Sequence, residues 1–387
     1  MKRYLIATLV FALLLPVGAS AQWYLFPGSR PAKDSTSVVG RVFVPIGTEE
    51  SEEVDPFEET SIIKVSLILP FKTNATPNSN FLDFYCGVLM AADGLCSAEN
   101  KYEISVFDSA VGLPSATEIA DCDLIIGPVS YDDMRTLIPR ARGKFLVSPL
   151  DPKVAALSND FNVIQAPAGW EAQVDDLVRW ISEDLRGGDA VVLLQSADEK
   201  GGEITARLAA RLGEAGIAYD ITSTPSAMEG AVQGTCRFVI ASENDAFCSN
   251  AVREVALMNL RGGHNIVYST SKLRSLGDLE VESMHAAATR ITASYYADPK
   301  DRSVRLFNER YKMLFKGEPG QWVYQGYDLM NYFGAALKRG ENNWQETLAA
   351  HPGNGLQADF KFEANGKVNN AVRRLKYNSD NTITVVK

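Results

Sequence analysis

From Ile62 onward, two kinds of apolar pattern alternate along the chain. Short continuous apolar runs such as IIKVSLILPF, YEISVF and DLIIG are typical of strands that are buried on both faces. Between the first two runs, NFLDFYCGVLMAADGL repeats apolar residues every three or four positions. That spacing predicts a helix, with Asn80 as its N-cap. Strands that alternate with helices predict a parallel sheet covered on both faces.

The same alternation starts again after Gln165. GWEAQVDDLVRWISEDL and GGEITARLAARLGEAG have helical spacing, whereas DAVVLLQ, IAYDITS, RFVIAS and NIVYST are short apolar strand patterns. The second series has an order similar to that of the first but little sequence identity with it, so it is not a short-period repeat. The pattern therefore predicts two successive α/β units.

Two neighbouring strands of the first unit end in a small or hydroxyl residue beside a proline. One run stops at Gly127-Pro128 and the next stops at Ser148-Pro149. In parallel α/β sheets, ligands bind beyond the carboxyl ends of the strands, where small residues admit a ligand and hydroxyls form hydrogen bonds. The strand ends thus indicate a ligand cleft. The alternative is a pair of ordinary strand-to-helix turns, with Ser130 as a helix N-cap.

The first 61 residues have a different character. Lys2 and Arg3 precede the apolar run YLIATLVFALLL, and Ala19-Ser20-Ala21 forms a small-x-small cleavage site, which together predict a signal peptide over residues 1–21. No cysteine follows the cleavage site, so we expect an exported, periplasmic chain without a lipid anchor and without a membrane span. Residues 22–61 include the acidic stretch GTEESEEVDPFEET and are predicted to be a disordered linker.

Charge and composition exclude several classes of function. The formal net charge of −10 argues against a nucleic-acid partner, which usually binds a basic face. The cysteines form no C-x-x-C pair and the three histidines are widely separated, so the sequence predicts no metal site, no cofactor and no enzymatic activity. The cysteines are interpreted mainly as core residues, with a Cys236–Cys248 disulfide as the alternative.

Several segments, taken in order, resemble the type I periplasmic binding proteins, the leucine/isoleucine/valine-binding group of ABC-transporter receptors. VSLILPF with FLDFYCGVLMAAD resembles the first strand and helix of that family, and DLIIGPVS and FLVSPL resemble its two ligand-holding strand ends. FNVIQAPAG resembles the first crossover between lobes. The paired helices of RLFNERYKMLFKGEPGQWVYQGYDLMNYFGAAL and the closing segment GLQADFKFEANGKVNN complete the resemblance, which covers about Ile62 to Asn370.

This resemblance implies an α/β fold of two Rossmann-like parallel-sheet lobes joined by a hinge of about three crossovers. The expected crossovers lie near Gln165, Ser271 and Arg339. The implied division places residues 62–165 and 271–338 in lobe 1, and residues 166–270 and 339–387 in lobe 2. A small-molecule ligand would bind in the cleft between the lobes.

The resemblance also implies which side chains contact a ligand. Besides Ser130, three of them have an alternative role: Tyr327 shares a helix face with the core, Glu243 with Asn244 could cap a helix, and Lys200 could be a solvated loop charge. The implied ligand-binding residues are Ser130, Ser148, Lys200, Ser242, Glu243, Ser271 and Tyr327.

The chain departs from the family pattern where amino-acid binders grip a ligand. Leu150, Asp151 and Pro152 replace the small and hydroxyl residues that hold a carboxylate, and Ser271 stands where an acid for the ligand ammonium is expected. Asp132 and Asp133 lie in the first turn of the helix that points at the expected cleft, where they reduce its attraction for anions. These departures argue against binding of a free α-amino acid in the family's usual way.

Two functions fit these observations. The first is a periplasmic solute-binding receptor that closes two lobes on a small polar or peptide-like ligand, with an ABC permease as partner. The alternative is an envelope scaffold or regulator of the same fold that acts through protein partners in cell-wall synthesis.

Overall fold

A computed structural model describes residues 38–43, 61–97, 99–199, 202–364 and 366–386. The chain divides into two compact units. Unit 1 contains the described residues up to Pro167 together with Ala297–Asn369, and unit 2 contains Ala168–Tyr296 together with the residues from Asn370 onward. The signal-peptide prediction for residues 1–21 lies outside the described residues.

The strands are numbered in chain order. They are β1 (Val38–Phe43), β2 (Ser61–Leu69), β3 (Asn100–Asp108), β4 (Leu124–Ile126), β5 (Leu146–Ser148), β6 (Val163–Gln165), β7 (Ala190–Leu194), β8 (Tyr219–Thr222), β9 (Cys236–Ile240), β10 (Ile266–Thr270), β11 (Arg290–Ala293), β12 (Gly353–Asn354), β13 (Asp359–Phe360), β14 (Arg373–Tyr377) and β15 (Ile383–Val386).

The α-helices of the described residues are numbered in the same way. They are α1 (Ser79–Leu95), α2 (Tyr131–Leu137), α3 (Trp170–Asp184), α4 (Glu203–Glu214), α5 (Asp245–Leu260), α6 (Val281–Ala286), α7 (Arg302–Phe315) and α8 (Gln321–Gly340). The N-cap of α1 is Asn78 rather than the predicted Asn80, because the Asn78 side chain accepts a hydrogen bond from the Asn80 backbone nitrogen. Helix α2 ends at Leu137, before Pro139, as the ring of that proline requires.

Unit 1 is built on a sheet with the strand order β1-β3-β2-β4-β5-β6. Strands β2 to β6 are parallel, and only β1 runs antiparallel, beside β3. Strand β1 lies inside the segment predicted to be a disordered linker, so that prediction is wrong for Val38–Phe43 and for Ser61, which begins β2. The linker prediction was based on the composition of residues 22–61 as a whole, in which the acidic stretch outweighs the short apolar run VVGRVF. In the structure this run pairs with the edge that β3 would otherwise leave open.

Helices α1 and α8 of unit 1 pack against each other through glycines. A Cβ on Gly87 would collide with the backbone carbonyl of Val323, and one on Gly326 would collide with that of Phe84. The absence of side chains at both positions lets the two backbones approach closely. On the sheet, Ile68, Ile125 and their neighbours form a core with α2 and the 3₁₀ segment Pro152–Leu157.

Unit 2 is built on a sheet with the order β15-β14-β11-β10-β9-β7-β8. Its strands β7 to β11 are parallel, and β14 and β15 are antiparallel additions. Alternate residues of β7 face opposite sides of this sheet: Val192 packs in the core that contains α5, whereas Val191 packs in the core that contains α3 and α4. The prediction of two α/β units built on parallel sheets is confirmed.

The points where the chain passes between the units differ from the expected ones. The first passage follows Pro167, close to Gln165, but the others follow Tyr296 and Asn369 instead of lying near Ser271 and Arg339. Strand β11 extends the sheet of unit 2 beyond Ser271, and α8 continues to Gly340 inside unit 1. The segment from 271 to 296 therefore belongs to unit 2, and that from 339 to 369 belongs to unit 1.

Candidate functional site

Ser130 of unit 1 lies beyond the carboxyl end of β4 and caps α2. Its hydroxyl oxygen accepts a hydrogen bond of 3.2 Å from the Asp133 backbone nitrogen. The carboxylate of Asp151 accepts another, also 3.2 Å long, from the Tyr131 backbone nitrogen. Two of the amides that begin α2 are therefore already bonded to side chains of the same unit, and the N-cap alternative for Ser130 describes its role here.

Ser148 ends β5 and is completely buried. Among the described residues its hydroxyl has no hydrogen-bond partner, and no part of its surface is exposed. The loop that follows is fixed from α8, because the Gln325 side-chain amide donates a 3.0 Å hydrogen bond to the Pro149 carbonyl. The Ser148 hydroxyl is therefore enclosed in this structure rather than exposed at the strand end.

Gly127, at the end of β4, is explained by the neighbouring strand. Its φ of 101° is in the region that favours glycine, and a Cβ there would collide with the backbone carbonyl of Ile68 in β2. The small residue at this strand end therefore serves packing within the sheet.

The sequence analysis missed Asp108, the last residue of β3. This carboxylate is 1% exposed and accepts hydrogen bonds from the backbone nitrogens of Lys72, Thr73 and Ala110, at 3.2, 2.7 and 3.0 Å. The Thr73 hydroxyl donates a further bond of 2.7 Å. Asp108 thus ties together the loops that follow β2 and β3. An acid that directly ends an apolar run, as in ISVFDS, was the available signal.

Tyr327 lies in α8, half-buried in an apolar cluster of unit 1. Its ring centroid is 4.7 Å from that of Phe307, and Val323 belongs to the same cluster. Burial raises the pKa of the Tyr327 hydroxyl, as the apolar surroundings require. The core-packing alternative accounts for this side chain.

In unit 2, three predicted residues come together at the carboxyl edge of the sheet. Ser242 and Glu243 follow β9, and Ser271 follows the adjacent strand β10. The Ser242 hydroxyl accepts a 3.1 Å hydrogen bond from the backbone nitrogen of Asn244, which itself caps α5. The expectation that residues of both units converge on one cavity stays a prediction.

A cavity of about 640 Å³ opens at this edge of unit 2. It lies where the parallel strands β9 and β10 end and where α3 and α4 begin, which is the usual place for a ligand in a parallel α/β sheet. Seven of its nine lining residues have polar side chains, and they include two of the predicted residues, Glu243 and Ser271. The complete lining is Trp170, Gln173, Glu203, Ile204, Glu243, Thr270, Ser271, Lys272 and Ser275.

Gln173 fixes the wall of this cavity. Its side-chain oxygen accepts a 2.8 Å hydrogen bond from the Ser271 backbone nitrogen, and its side-chain nitrogen donates one of 3.0 Å to the Ser294 hydroxyl. That hydroxyl in turn donates to the Ala168 carbonyl, at 2.7 Å. The buried amide therefore holds the end of β10 against the start of α3.

Among the described residues of the lining, Lys272 is the only cation. Its ammonium lies 2.7 Å from an Asp245 carboxylate oxygen and 3.7 Å from one of Glu243. Partial burial alone would lower the pKa of Lys272, but the hydrogen bond that Lys272 donates to Asp245 and the charges of Asp245 and Glu243 outweigh it and raise this pKa. Lys272 is therefore charged at neutral pH and is already paired with acids.

Seven lining residues were not predicted, and among them are the aromatic, amide and charged side chains of Trp170, Gln173, Glu203 and Lys272. Their signal was positional: each lies in the first turn of a helix or directly after a strand of the second unit, where a carboxyl-edge site must form. The prediction for Lys200 lies outside the described residues.

The described residues contain no group of histidine, cysteine or acidic side chains that could hold a metal ion. All five cysteines are free thiols, so the Cys236–Cys248 alternative is wrong, and both of these residues are buried in the core of unit 2. Burial raises the pKa of the Cys86 thiol to about 12, which leaves it protonated at neutral pH. Among the described helices, none is long and apolar enough to cross a membrane.

Solved structures of binding proteins resemble the chain along most of its length. A proposed branched-chain amino acid ABC transporter from Rhodospirillum rubrum aligns with a TM-score of 0.62 and 16% identity, over 84% of this chain and 100% of that one. An ABC transporter substrate-binding protein from Desulfitobacterium hafniense, in complex with Leu, aligns with a TM-score of 0.52 and 14% identity, over the same shares.

A protein of another description has the same fold. The C-domain of LpoA from Haemophilus influenzae, a regulator of PBP1A, aligns with a TM-score of 0.51 and 13% identity, over 84% of this chain and 100% of that one. A search of curated protein sequences gives no significant match. At these identities the structural likenesses establish the fold alone.

Sequence comparison establishes the family. The model described as "Periplasmic binding protein" matches residues 108–370, more than half of the chain and parts of both units. The two α/β units and their parallel sheets agree with that match. The chain belongs to the periplasmic binding protein family.

Proposed function

We propose that the protein is an exported, non-enzymatic binding protein that takes a small polar solute at the carboxyl edge of unit 2. The observation that carries this proposal is the cavity of about 640 Å³, which is large enough for a small molecule and lined by amide, hydroxyl and charged groups. Family membership supports a binding role, and an ABC permease is the partner that such a receptor would serve.

The arrangement of the cavity wall also supports binding. Gln173 is buried and bonded on both sides, so the Ser271 end of the wall is held in place before a ligand arrives. A preformed wall reduces the ordering cost of binding. The hydroxyls of Thr270, Ser271 and Ser275 line the same cavity and provide donors and acceptors for a polar ligand.

Thermal unfolding of the mature protein in a screen of small polar compounds tests this proposal. A compound present at about 100 times its Kd stabilises the folded state by about 2.7 kcal/mol, which raises the melting temperature measurably. Trp170→Ala, which alters the cavity, should abolish the shift, and Tyr219→Ala, a partly buried aromatic of unit 2 outside the lining, should retain it. A shift that survives Trp170→Ala, or a broad screen without any shift, would contradict the proposal.

Export is the second part of the proposal. The Lys2-Arg3 start, the apolar run and the Ala19–Ala21 site support cleavage before Gln22 and a periplasmic location. Mass spectrometry of the protein from the periplasmic fraction should find a chain that begins at Gln22. An intact Met1 or an attached lipid would overturn this assignment.

The outward face of α7 favours the second candidate, an envelope scaffold. Leu306 and Met313 are 53% and 67% exposed, one above the other on this face. Cationic residues lie near them in the sequence, alongside the exposed acid Glu309, and three of these cations have no ion-pair partner among the described residues. The three are Arg302, Arg305 and Lys316.

A basic face with an apolar centre, on a chain of net charge −10, fits an acidic protein surface. A photo-crosslinker in place of Met313, with one in place of the exposed Leu260 of unit 2 as control, would test this candidate in cells. It predicts a crosslinked acidic protein, identified by mass spectrometry, that is lost when Arg302 and Arg305 are replaced by glutamate. A crosslink to lipid or to a second copy of the chain, or none at all, would reject it.

A further inference from the structure

The Trp170 side chain of the unit 2 cavity is supported from behind by an arginine. The Arg207 guanidinium carbon lies over the indole, 5.9 Å from the ring centroid, which is within the range of a cation–π contact. Trp170 lines the cavity, whereas Arg207 does not. The part of the indole that the cavity exposes is therefore not the part that Arg207 covers.

Arg207 is in turn fixed by Asp175 of α3. Its Nε donates a 2.8 Å hydrogen bond to one carboxylate oxygen of Asp175, and its Nη2 donates one of 2.7 Å to the other. A bidentate pair of this kind fixes the plane of the guanidinium as well as its position. The three side chains thus form a row in which Asp175 orients Arg207 and Arg207 orients the Trp170 ring.

Arg211 shows that the contact with the ring is particular to Arg207. It lies one turn after Arg207 in α4, on the same helix face, and donates hydrogen bonds of 2.9 and 3.3 Å to the same Asp175 carboxylate. The guanidinium over the Trp170 ring is nevertheless that of Arg207. The two arginines therefore share one acid, and only one of them supports the cavity wall.

The rest of the lining indicates what such a wall can bind. Ile204 is half-buried and adds a second apolar surface, from the start of α4. The hydroxyls of Thr270 and Ser271 line the same cavity and have no hydrogen-bond partner among the described residues. Flat rings pack on an indole in the offset or edge-on arrangements that aromatic pairs prefer, and a ring that is already fixed loses little freedom when a ligand packs on it.

We propose that Arg207 and Asp175 are positioning residues that hold the Trp170 indole as a platform for a solute with a flat ring. The hydroxyls of Thr270 and Ser271 bond a polar substituent of that solute. Neither positioning residue touches the solute. This inference rests on the proposed function and names the ligand class of that same site.

Benzamide and cyclohexanecarboxamide are the probes that test it, because both are uncharged and carry the same amide, but only benzamide has a flat ring. Each is titrated into isotope-labelled mature protein while the indole N–H signals are followed by NMR. The Trp170 signal is assigned by its loss in Trp170→Phe. Benzamide should move this signal and should bind about threefold to tenfold more tightly than cyclohexanecarboxamide, the gain expected from an aromatic pair.

Two variants test the positioning role. Arg207→Gln should weaken benzamide binding about threefold to tenfold, because binding must then also order the ring. It should also shift the Trp170 indole signal of the free protein. Arg211→Gln is the matched control, since it removes an ion pair with the same acid but no contact with the ring. It should leave both the affinity and the signal unchanged.

Arg207→Lys is the second variant at this position and keeps the charge without the planar fork, so its loss of affinity should be intermediate. If benzamide binds no more tightly than cyclohexanecarboxamide, or if Arg207→Gln and Arg211→Gln behave alike, the positioning assignment is wrong while the binding function stands. If neither probe nor a broad screen of small polar compounds gives any binding, the proposed function fails together with it.

Discussion

The carboxyl edges of the two parallel sheets differ in what their polar groups do. In unit 1, Asp108 and Ser130 accept hydrogen bonds from backbone amides of their own unit, and Ser148 is enclosed. In unit 2, the acids and hydroxyls beside β9 and β10 line an open cavity. Two edges with the same topology thus differ: the named groups of unit 1 are bonded within the unit or enclosed, whereas Glu243 and Ser271 of unit 2 line a cavity.

This contrast shows why polar residues at strand ends are not sufficient evidence for a site. A serine after a strand caps a helix as readily as it binds a ligand, since both roles need an exposed lone pair near a helix start. What separates the roles is whether a backbone amide of the chain already uses that lone pair. The predictions below test this difference between the two edges.

The largest effect is expected at unit 1. Asp108→Ala removes a buried carboxylate and leaves its donors on Lys72, Thr73 and Ala110 without their acceptor. We expect the free energy of unfolding to fall by about 2–3 kcal/mol, the cost of buried polar groups that lose their partner. Urea denaturation followed by circular dichroism measures this change.

Asp121→Ala is the control for this substitution, because Asp121 is an exposed acid of the same unit. Its effect should stay within about 0.5 kcal/mol, as is usual for surface positions. Equal losses in the two variants would mean that Asp108 does not tie the unit 1 edge together.

Acid pH should act on two sets of ion pairs in unit 2. Burial alone would raise the pKa of Asp175, but hydrogen bonds from Arg207 and Arg211 outweigh it and lower this pKa. The pKa of Asp189 is lowered in the same way, by hydrogen bonds from the Thr235 backbone and the Arg237 side chain that outweigh its burial. A carboxyl group whose pKa is lower in the folded state than in the unfolded state stabilises the folded protein at pH values above its unfolded-state pKa, which is about 4. This stabilisation is lost as the pH falls through the folded-state pKa.

We therefore expect amide hydrogen exchange in unit 2 to accelerate as pH is lowered from about 6 to 3, after correction for intrinsic rates. Asp175→Asn should flatten this pH dependence, whereas Glu282→Gln should leave it unchanged. A variant with the full wild-type slope would show that the Asp175 ion pairs do not contribute.

The sequence predicted the fold well because the signal is distributed over many residues. Apolar runs such as VSLILPF and DAVVLLQ are buried on both faces in the structure, and each run supports the same parallel arrangement. The passages between the units were predicted less well, because nothing local at Ser271 or Arg339 distinguishes a passage from a turn. Val38–Phe43 was missed because its partner strand is distant in sequence.

The candidate site was predicted only in part, for a different reason. Whether Ser130 binds a ligand or caps α2 depends on one amide of Asp133, which composition and spacing do not specify. Similarly, the lining role of Gln173 depends on its contact with Ser271, almost a hundred positions away in the chain. Such pairings are properties of the packed structure.

A smaller effect distinguishes the two predicted serines. Ser130→Ala removes the N-cap of α2 and should lower the free energy of unfolding by about 1 kcal/mol. Ser271→Ala should change it by less than about 0.5 kcal/mol, because Ser271 is bonded through its backbone nitrogen and alanine keeps that group. Urea denaturation of both variants in parallel would show the difference, and a loss at Ser271 equal to that at Ser130 would contradict it.

The smallest effect on stability is expected at Glu203, which lines the cavity of unit 2. Its carboxylate is exposed and unpaired among the described residues, so Glu203→Gln loses only a favourable interaction with the start of α4. That loss should stay below about 0.5 kcal/mol in the absence of ligand. In the presence of a small polar compound that binds this cavity, the same variant should show a smaller rise in melting temperature than the wild type. Glu243→Gln should also reduce the ligand-induced rise in melting temperature. Because Glu243 lies close to Lys272, this substitution should in addition cause some loss of stability without ligand. A Glu203→Gln protein that is strongly destabilised without ligand would assign this carboxylate to the fold, and the unit 2 edge would then be as internally satisfied as that of unit 1.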